Sequence, residues 1–463
     1  MSSSTERTFG DVSDVSTAAI LERVRAAVDK AAPAAHALLR ELINVRSVNP
    51  RFPGVTEGEY AGGEQRCNEI LAERFSDAGA ETHWVEAERG RANLVGVVRG
   101  SGGGRSLALN GHVDTVAPLR AETWSISDPW HSEERDGVLY GLGGTDMKAG
   151  LAAMWLAAVA LRDAGIVLAG DLHLHAVVGE ETMSHDLGTS AVLDAGFMVD
   201  GAIVAEPSST PVPLTVAHTA AGNLNVRMTV RGKATHWGNR ARAIRPGLGG
   251  DAVGVNAVEK AAIVLAAVRE LEERWGQSKS HPLFAPGFFI IHPGVFHGDV
   301  GIPAPAFFPD EAFIHYLLWY PPQEAPADVI REIEEHVRAA TGNDSWLREN
   351  PVEFEWLGNW PAADTSLGHP FVQNMLHARR DALGRAMTAN DQVGGASFGA
   401  ASDASFYERR GIPSVVCGPG DILFAHSADE NVRLSEVAEA AKIFVAMAIR
   451  WCGLASDSTD LNK

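Results

Sequence analysis

The sequence predicts an α/β fold interrupted by a smaller α+β domain. Three observations carry that expectation. Up to about Pro213, short apolar runs that read as buried strands alternate with helical repeats, the pattern of a sheet with helices on its faces. After Pro213 the strands alternate as if half exposed, in a β-α-β-α-β order. From about Asn359 the first pattern resumes. The expected division is therefore a discontinuous α/β domain, residues 1–214 and 359–463, with an inserted α+β domain at residues 215–358.

The elements follow in order. "TAAILERVRAAVDKAAPAAHALLRELINV" carries an apolar stripe through Ile20, Val24, Val28, Leu38, Leu39 and Leu42, and Pro33 is expected to divide it into two helices. "GEQRCNEILAERFSDAGAE" reads as an amphipathic helix closing near Gly79. "ANLVGVVRG" and "SLALNG" read as strands, with "GSGGGR" as the hairpin turn between them. That glycine run opens no helix and lacks GK[ST], so it is not read as a phosphate loop. "KAGLAAMWLAAVALRDAG" predicts a helix from about Lys148 to Gly165, and "GDLHLHAVVGEE" and "DGAIVAEPS" predict strands.

In the insertion, "GNLNVRMTVRGKATHWG", "AFIHYLLWYPP" and "PVEFEWLG" read as strands. "NAVEKAAIVLAAVRELEERWG" and "PADVIREIEEHVRAATG" read as the helices between them. The last stretch gives a helix at "HPFVQNMLHARRDALG", a strand at "IPSVVCGPG" and a closing helix at "SEVAEAAKIFVAMAIRWCG".

The 463 residues suffice for two domains, and 45% hydrophobic with 21% charged residues is ordinary for a globular protein. A net charge of -20 argues against nucleic acid and anionic membranes as partners, because both require a basic footprint. Cys67, Cys417 and Cys452 are isolated, so neither a disulfide framework nor a CxxC zinc motif is available. A reduced, cytoplasmic setting is expected. The polar, acidic start "MSSSTERTFGDVSDVSTAA" reads as no signal peptide, and its first dozen or so residues are expected to be disordered. No apolar run reaches membrane-spanning length.

Polar residues then cluster where strands end. His112 and Asp114 close "SLALNG", and Asp146 sits in the turn "GLGGTDMKAG". Glu180 and Glu181 close "LHAVVGEE", Glu206 closes "AIVAEPS", and His426 follows "VVCGPGDILFAH". Each alone has an ordinary reading: a strand-end histidine, a helix N-cap at Asp146, solvated acids, a loop histidine. Together they lie where one sheet edge gathers ligands. Zinc takes imidazole nitrogen and carboxylate oxygen, and catalytic sites keep a position for water. Two metals roughly 4 Å apart can activate water and hold a carbonyl. His112, Asp146, Glu181, Glu206 and His426 provide two histidines and three carboxylates for two Zn2+ ions, with Co2+ or Mn2+ as substitutes. Glu180 remains for general-base work.

"NGHVDTV", "GLGGTDMKAG", "GEE", "AEPS" and "SDASFYERRGIPSVVCGPG…AHSADENV" resemble the five signature regions of the acetylornithine deacetylase and succinyl-diaminopimelate desuccinylase family. These are dinuclear zinc metallopeptidases and deacylases. The resemblance covers nearly the whole chain and implies a zinc-peptidase-like α/β catalytic domain with an inserted lid and dimerisation domain. It implies that His112 and Glu206 hold one zinc, that Glu181 and His426 hold the other, and that Asp146 bridges. It makes Glu180 the general base and has the Asp114 side chain accept a hydrogen bond from the His112 ring. His236, in "GKATHWG", is similar to a histidine that reaches the partner subunit's site and binds the oxyanion. A homodimer through the inserted domain follows. "GVNA" at Asn256 also matches a family position.

Three departures bear on substrate. Gly179 stands where the family often has Asp before the two glutamates. "HYLLWYPP" puts Trp319 near a position where many members use Arg to hold a substrate carboxylate. "GIPAPAFFP" replaces the usual Asn-Val-Val-Pro, and Arg240, Arg242 and Arg245 are the arginines that could substitute. His185 reads as a loop residue, Asp403 as a brace for the site, and Trp319 and Tyr320 as lid core.

The expected function is metal-dependent hydrolysis of an amide C–N bond in a small N-acyl amino-acid-like substrate. The alternatives are a metallo-exopeptidase and a hydrolase or deaminase of an unusual small amide or amine. A non-catalytic binding protein on the same fold should have lost a ligand or the base, and none is missing.

Overall fold

The computed structural model describes residues 14–56, 58–210, 212–384 and 397–455. The expectation of a disordered N-terminus falls largely on residues 1–13, outside the described residues. Ten strands organise the chain. They are β1 (Glu81–Glu88), β2 (Arg91–Val98), β3 (Leu107–His112), β4 (Leu172–Val177), β5 (Ala202–Pro207), β6 (Gly222–Arg231), β7 (Ile291–Asp299), β8 (Glu311–Tyr320), β9 (Glu353–Trp360) and β10 (Ser414–Gly418). The principal helices are α1 (Asp14–Ile43), α2 (Gly63–Asp77), α3 (Ala149–Asp163), α4 (Thr189–Asp194), α5 (Ala257–Ser278), α6 (Pro326–Thr341), α7 (Pro370–Leu383) and α8 (Leu434–Cys452).

Two compact units result. One runs through His218 and takes up the chain again at Thr365 and, after a short interruption, at Ser402. The other is Thr219–Asp364 with Ser397–Ala401. The boundaries thus fall a few residues beyond the expected 214/215 and 358/359, and the second unit takes a short later segment that the sequence reading left in the first.

The first unit holds a six-stranded sheet in the order β1-β2-β4-β3-β5-β10. The strands from β4 to β10 pair in parallel, whereas β1–β2 and β2–β4 are antiparallel. The parallel strands β3, β4, β5 and β10 are buried along their whole length, as strands covered on both faces must be. Helix α3 is buried from Ala149 to Leu161, packed with α1 and α8 in the main core. Its small residues allow that close approach.

The second unit is a four-stranded antiparallel sheet, β7-β8-β6-β9, with α5 and α6 on one face. Strand β8 alternates as its sequence predicts, burying Ala312, Ile314, Tyr316, Leu318 and Tyr320.

Three expectations are corrected. Helix α1 is continuous through Pro33. Pro33 and Asp29 both face solvent, so the carbonyl that loses its donor is hydrated and the break is avoided. The run "GSGGGR" is no hairpin turn, because β4 lies between β2 and β3. Its glycines pack against the backbone ahead of β4: a Cβ on Gly104 would sit 2.2 Å from the Gly170 nitrogen and 2.0 Å from the Cys452 oxygen. Strands β1 and β7 were not foreseen, since both are largely exposed edges with little apolar alternation to read.

Candidate metal centre

The parallel strands of the first unit set the site. β3 pairs with β4 so that His112 lies opposite Val177, and pairs with β5 so that Asn110 lies opposite Val204. The Glu180–Glu181 turn follows β4, and Glu206 lies at the end of β5. These are carboxyl ends of neighbouring parallel strands, where the chain diverges and side chains can converge. Asp146 enters from the turn ahead of α3. Gly111 keeps β3 clear of that turn, because a Cβ there would sit 2.8 Å from the Met147 Cε. His426 arrives on the segment after β10, at φ 55.

His112 Nε2 lies 3.0 Å from Asp146 Oδ1 and 3.4 Å from Glu206 Oε1. His426 Nε2 lies 2.9 Å from Glu181 Oε2 and 3.3 Å from Asp146 Oδ2. Two triads emerge, His112–Asp146–Glu206 and Asp146–Glu181–His426, each with ligand atoms within 4.8 Å of one another and each able to hold a metal ion. They share Asp146, one oxygen facing each histidine. The nitrogen and carboxylate donors suit a borderline divalent cation. Glu181 Oε1 is buried without a hydrogen-bond partner, a cost that a cation would remove.

The electrostatics point the same way. Burial, reinforced by the Asp146 charge, raises Glu206 to about 8. Burial also pushes Glu180 well above the carboxylate range and raises Glu181. Burial opposes the charge on His112, yet Glu206 and Asp146 hold its pKa well above the ordinary histidine value. Asp146 stays low despite burial because both imidazoles hydrogen-bond to it. The centre therefore carries more buried acid than its two imidazoles can neutralise. Glu180 stands slightly apart, with Oε2 3.9 Å from His112 Nε2, outside both triads.

Asp114 differs from its expected role. His112 Nδ1 lies 2.9 Å from the Asp114 backbone oxygen and 3.7 Å from its carboxylate. The carbonyl, not the side chain, accepts from the ring and leaves Nε2 facing the acids. The Asp114 carboxylate instead accepts from Asn49 Nδ2 at 2.7 Å and from the Glu181 N–H at 3.1 Å. Sequence reasoning also missed Glu430, whose carboxylate accepts from the backbone N–H groups of Thr145 and Asp146 at 2.9 and 3.0 Å. It stood within "AHSADENV", but a loop acid gives no sign of which backbone it will meet. Asp403 accepts from the Thr189 hydroxyl at 2.7 Å. His185 stacks on Phe406 with ring centroids 4.1 Å apart.

His236, Asn256, Trp319 and the three arginines belong to the second unit. His236 is exposed, and its Nδ1 accepts from the Gly238 N–H at 3.1 Å, which places the ring proton on Nε2. Asn256 caps α5. Trp319 stacks on Phe288 with centroids 6.5 Å apart, beside Phe284 and Phe289. Tyr320 is fully buried over Gly222. Arg240 pairs with Glu259 at 2.6 Å, and Arg245 donates to the Ala241 carbonyl.

Residues 108–450 match the family described as peptidase family M20/M25/M40. The chain is 34% identical over 375 residues to the N-formyl-4-amino-5-aminomethyl-2-methylpyrimidine deformylase of Bacillus subtilis (strain 168), covering 78% of this chain and 84% of that protein. It is 28% identical over 421 residues to a succinyl-diaminopimelate desuccinylase of Thioalkalivibrio sulfidiphilus, covering 89% and 97%. Among solved structures, the dipeptidase Dug1p of Saccharomyces cerevisiae has a TM-score of 0.72 at 12% identity, covering 93% of this chain and 98% of its own. That likeness speaks for the fold alone.

Proposed function

The chain belongs to peptidase family M20/M25/M40, and from that premise we propose its reaction. It is a hydrolase of a non-peptide amide C–N bond, a metal-dependent deacylase by family. The observation that carries the reaction is the pair of triads sharing Asp146 beside an uncommitted Glu180.

Two divalent ions, zinc by the donor set, would be held by His112, Asp146 and Glu206 and by Asp146, Glu181 and His426, and when bound supply a Lewis acid and lower the pKa of water. Glu180 takes a proton from the attacking water. The water oxygen bonds to the acyl carbon, the C–N bond breaks, and Glu180 returns the proton to the leaving nitrogen. The products are a carboxylate and a free amine. His236, with its proton on Nε2, is the donor for the developing oxyanion, contributed by the partner subunit of a homodimer built through the second unit. A cytoplasmic setting agrees with Cys67, Cys417 and Cys452, all buried and free.

The acyl group we infer is small, and the amine lacks a carboxylate. The deformylase relative supports a formyl group. Trp319, near the position where many family members hold a substrate carboxylate with Arg, supports an amine that lacks one. The test is turnover of N-formyl aromatic amines, N-acetyl and N-succinyl amino acids, and dipeptides, with zinc or cobalt and with chelator. Chelator-sensitive hydrolysis led by the N-formyl amines is expected. Preference for dipeptides would overturn the substrate class. A protein that binds no divalent metal and hydrolyses nothing would put the binding-protein reading first.

A further inference from the structure

Asp146 is the residue that both triads share, so its placement bears on both. Its backbone is non-helical, with φ -117 and ψ 93, so α3 does not orient it. A neighbouring stretch of chain does. The short strand Asn431–Arg433 pairs with Val138–Tyr140, Asn431 opposite Tyr140. Where that ladder stops, Glu430 continues the grip. Its backbone oxygen accepts from the Gly141 N–H at 3.0 Å. Its Oε1 accepts from the Thr145 N–H at 2.9 Å and from the Asp146 N–H at 3.0 Å. The Thr145 hydroxyl donates to the Asn431 carbonyl. Two consecutive residues thus hold the turn at its start and at the point where Asp146 leaves it.

Glu430 is itself held, at 1% exposure. Asp429 before it accepts from the Ser125 N–H at 2.6 Å, and Asn431 after it donates to the Asp429 carbonyl at 2.8 Å. Beyond Asp146, Lys148 is fully buried and donates to the Leu42 and Val45 carbonyls at 2.9 and 3.1 Å, which anchors the other side. A buried N–H needs only some acceptor, and a carbonyl or a water can be one. One oxygen that takes two successive N–H groups does more. It aims two rigid peptide planes at one place, and so fixes the direction in which the Asp146 side chain leaves the backbone.

We propose that Glu430 is a positioning residue for Asp146, setting that carboxylate between His112 and His426 through the Thr145 and Asp146 N–H groups. This rests on the two triads of the hydrolase reading. Because Asp146 is shared, Glu430 serves both ions, although its own segment carries a ligand of only one, His426. A glutamate that merely closed its own loop would affect the His426 side alone.

The test uses the full chain with the second triad disabled. His426→Ala leaves His112, Asp146 and Glu206, and zinc affinity is read by competition with a chromophoric chelator. Adding Glu430→Met removes the acceptor at similar bulk, and the affinity is expected to fall about 10- to 100-fold. Adding Glu430→Gln instead keeps an acceptor oxygen at the same reach and is expected to recover most of that loss. Unchanged affinity in a folded Glu430→Met variant would overturn the proposal. So would a glutamine variant as weak as the methionine one, since the acceptor would then not be what matters. Should the methionine variant not fold, Glu430→Asp draws the oxygen back by one methylene. The same weakening is expected there, and unweakened binding would overturn the proposal. Should His426→Ala hold no zinc, the comparison is made on the two equivalents of the intact chain. Both are expected to weaken, and weakening of one alone would overturn the role. At saturating zinc the intact chain with Glu430→Met should lose kcat by about 10- to 100-fold with KM within about twofold. If the wild-type protein binds both ions and hydrolyses no amide, the hydrolase reading fails while the zinc titration still decides the role of Glu430.

Discussion

His112 Nδ1 lies 2.9 Å from the backbone oxygen of Asp114 and 3.7 Å from that residue's carboxylate. The histidine tautomer is thus set by main chain, and the carboxylate is free to hold the Glu180–Glu181 turn. One short segment thereby orients the histidine of one triad and the turn that bears a carboxylate of the other.

Asp114→Asn should therefore separate two effects. The backbone carbonyl survives, so the His112 ring keeps its proton on Nδ1. An asparagine amide facing Asn49 Nδ2 and two N–H donors loses acceptors, so the turn loosens. Turnover is expected to fall about 10- to 100-fold. The 15N shifts of the His112 ring, measured in the zinc-loaded protein, should stay those of a ring with its proton on Nδ1 and Nε2 free of one. A mixed-tautomer spectrum would return the orienting role to the side chain.

Glu180→Ala should abolish most turnover and spare metal binding. Glu180 lies outside both triads, and a positioned acid–base group contributes typically about 10²- to 10⁴-fold. Metal content by elemental analysis, read beside kcat, checks this. Substantial activity with two ions bound would remove Glu180 from proton transfer.

Chelation should destabilise the first unit. Buried Glu181 and Glu206 lose the cation that offsets their charge. An ion present at about 100 times its Kd adds about 2.7 kcal/mol, which for a unit of this size is about 4 °C in Tm. Thermal unfolding with and without chelator measures it. An unchanged Tm would mean that the triads bind no ion tightly.

His173 and His175 make an acid-sensitive pair away from the triads. His175 Nε2 faces His173 Nδ1 at 3.4 Å, and His175 Nδ1 meets the Tyr407 hydroxyl at 2.7 Å. Burial lowers His173 to about 4 and drives His175 well below the ordinary value of 6.5. The folded state therefore resists protons that the unfolded chain accepts. Stability is full above 6.5 and is lost as the pH falls toward 4. His173 alone should account for about 2 kcal/mol of loss between about pH 7.5 and about pH 5. Urea unfolding of the wild type and His173→Gln at both values should show a smaller drop in the variant. Equal drops would mean that His173 is already hydrated in the fold.

The strand ends were legible because His112, Glu180, Glu181 and Glu206 interrupt or close apolar runs, where a polar residue is conspicuous. Their supports were not. Glu430 and Asn49 both lie in loops. A loop is an ordinary place for a polar residue until its partner is known. The hairpin expected at "GSGGGR" failed for a related reason: glycine reports that something comes close, not whether it is the next strand or a distant loop. The edge strands β1 and β7 escaped because period-two patterning needs a buried face.

Gly179 is the residue whose replacement tests the link between turn and chemistry most directly. It holds φ at 86, and a Cβ there would sit 3.0 Å from the Ser184 oxygen. Gly179→Ala meets both the left-handed backbone and that contact, at a cost of about 1–2 kcal/mol. The turn can relieve the strain only by shifting the N–H groups that Asp114 holds. Loss of kcat beyond tenfold, with stability lowered by that modest amount in urea, is the expected pair of results. An alanine variant with wild-type kcat would show that the turn tolerates displacement and that Glu180 and Glu181 do not depend on it.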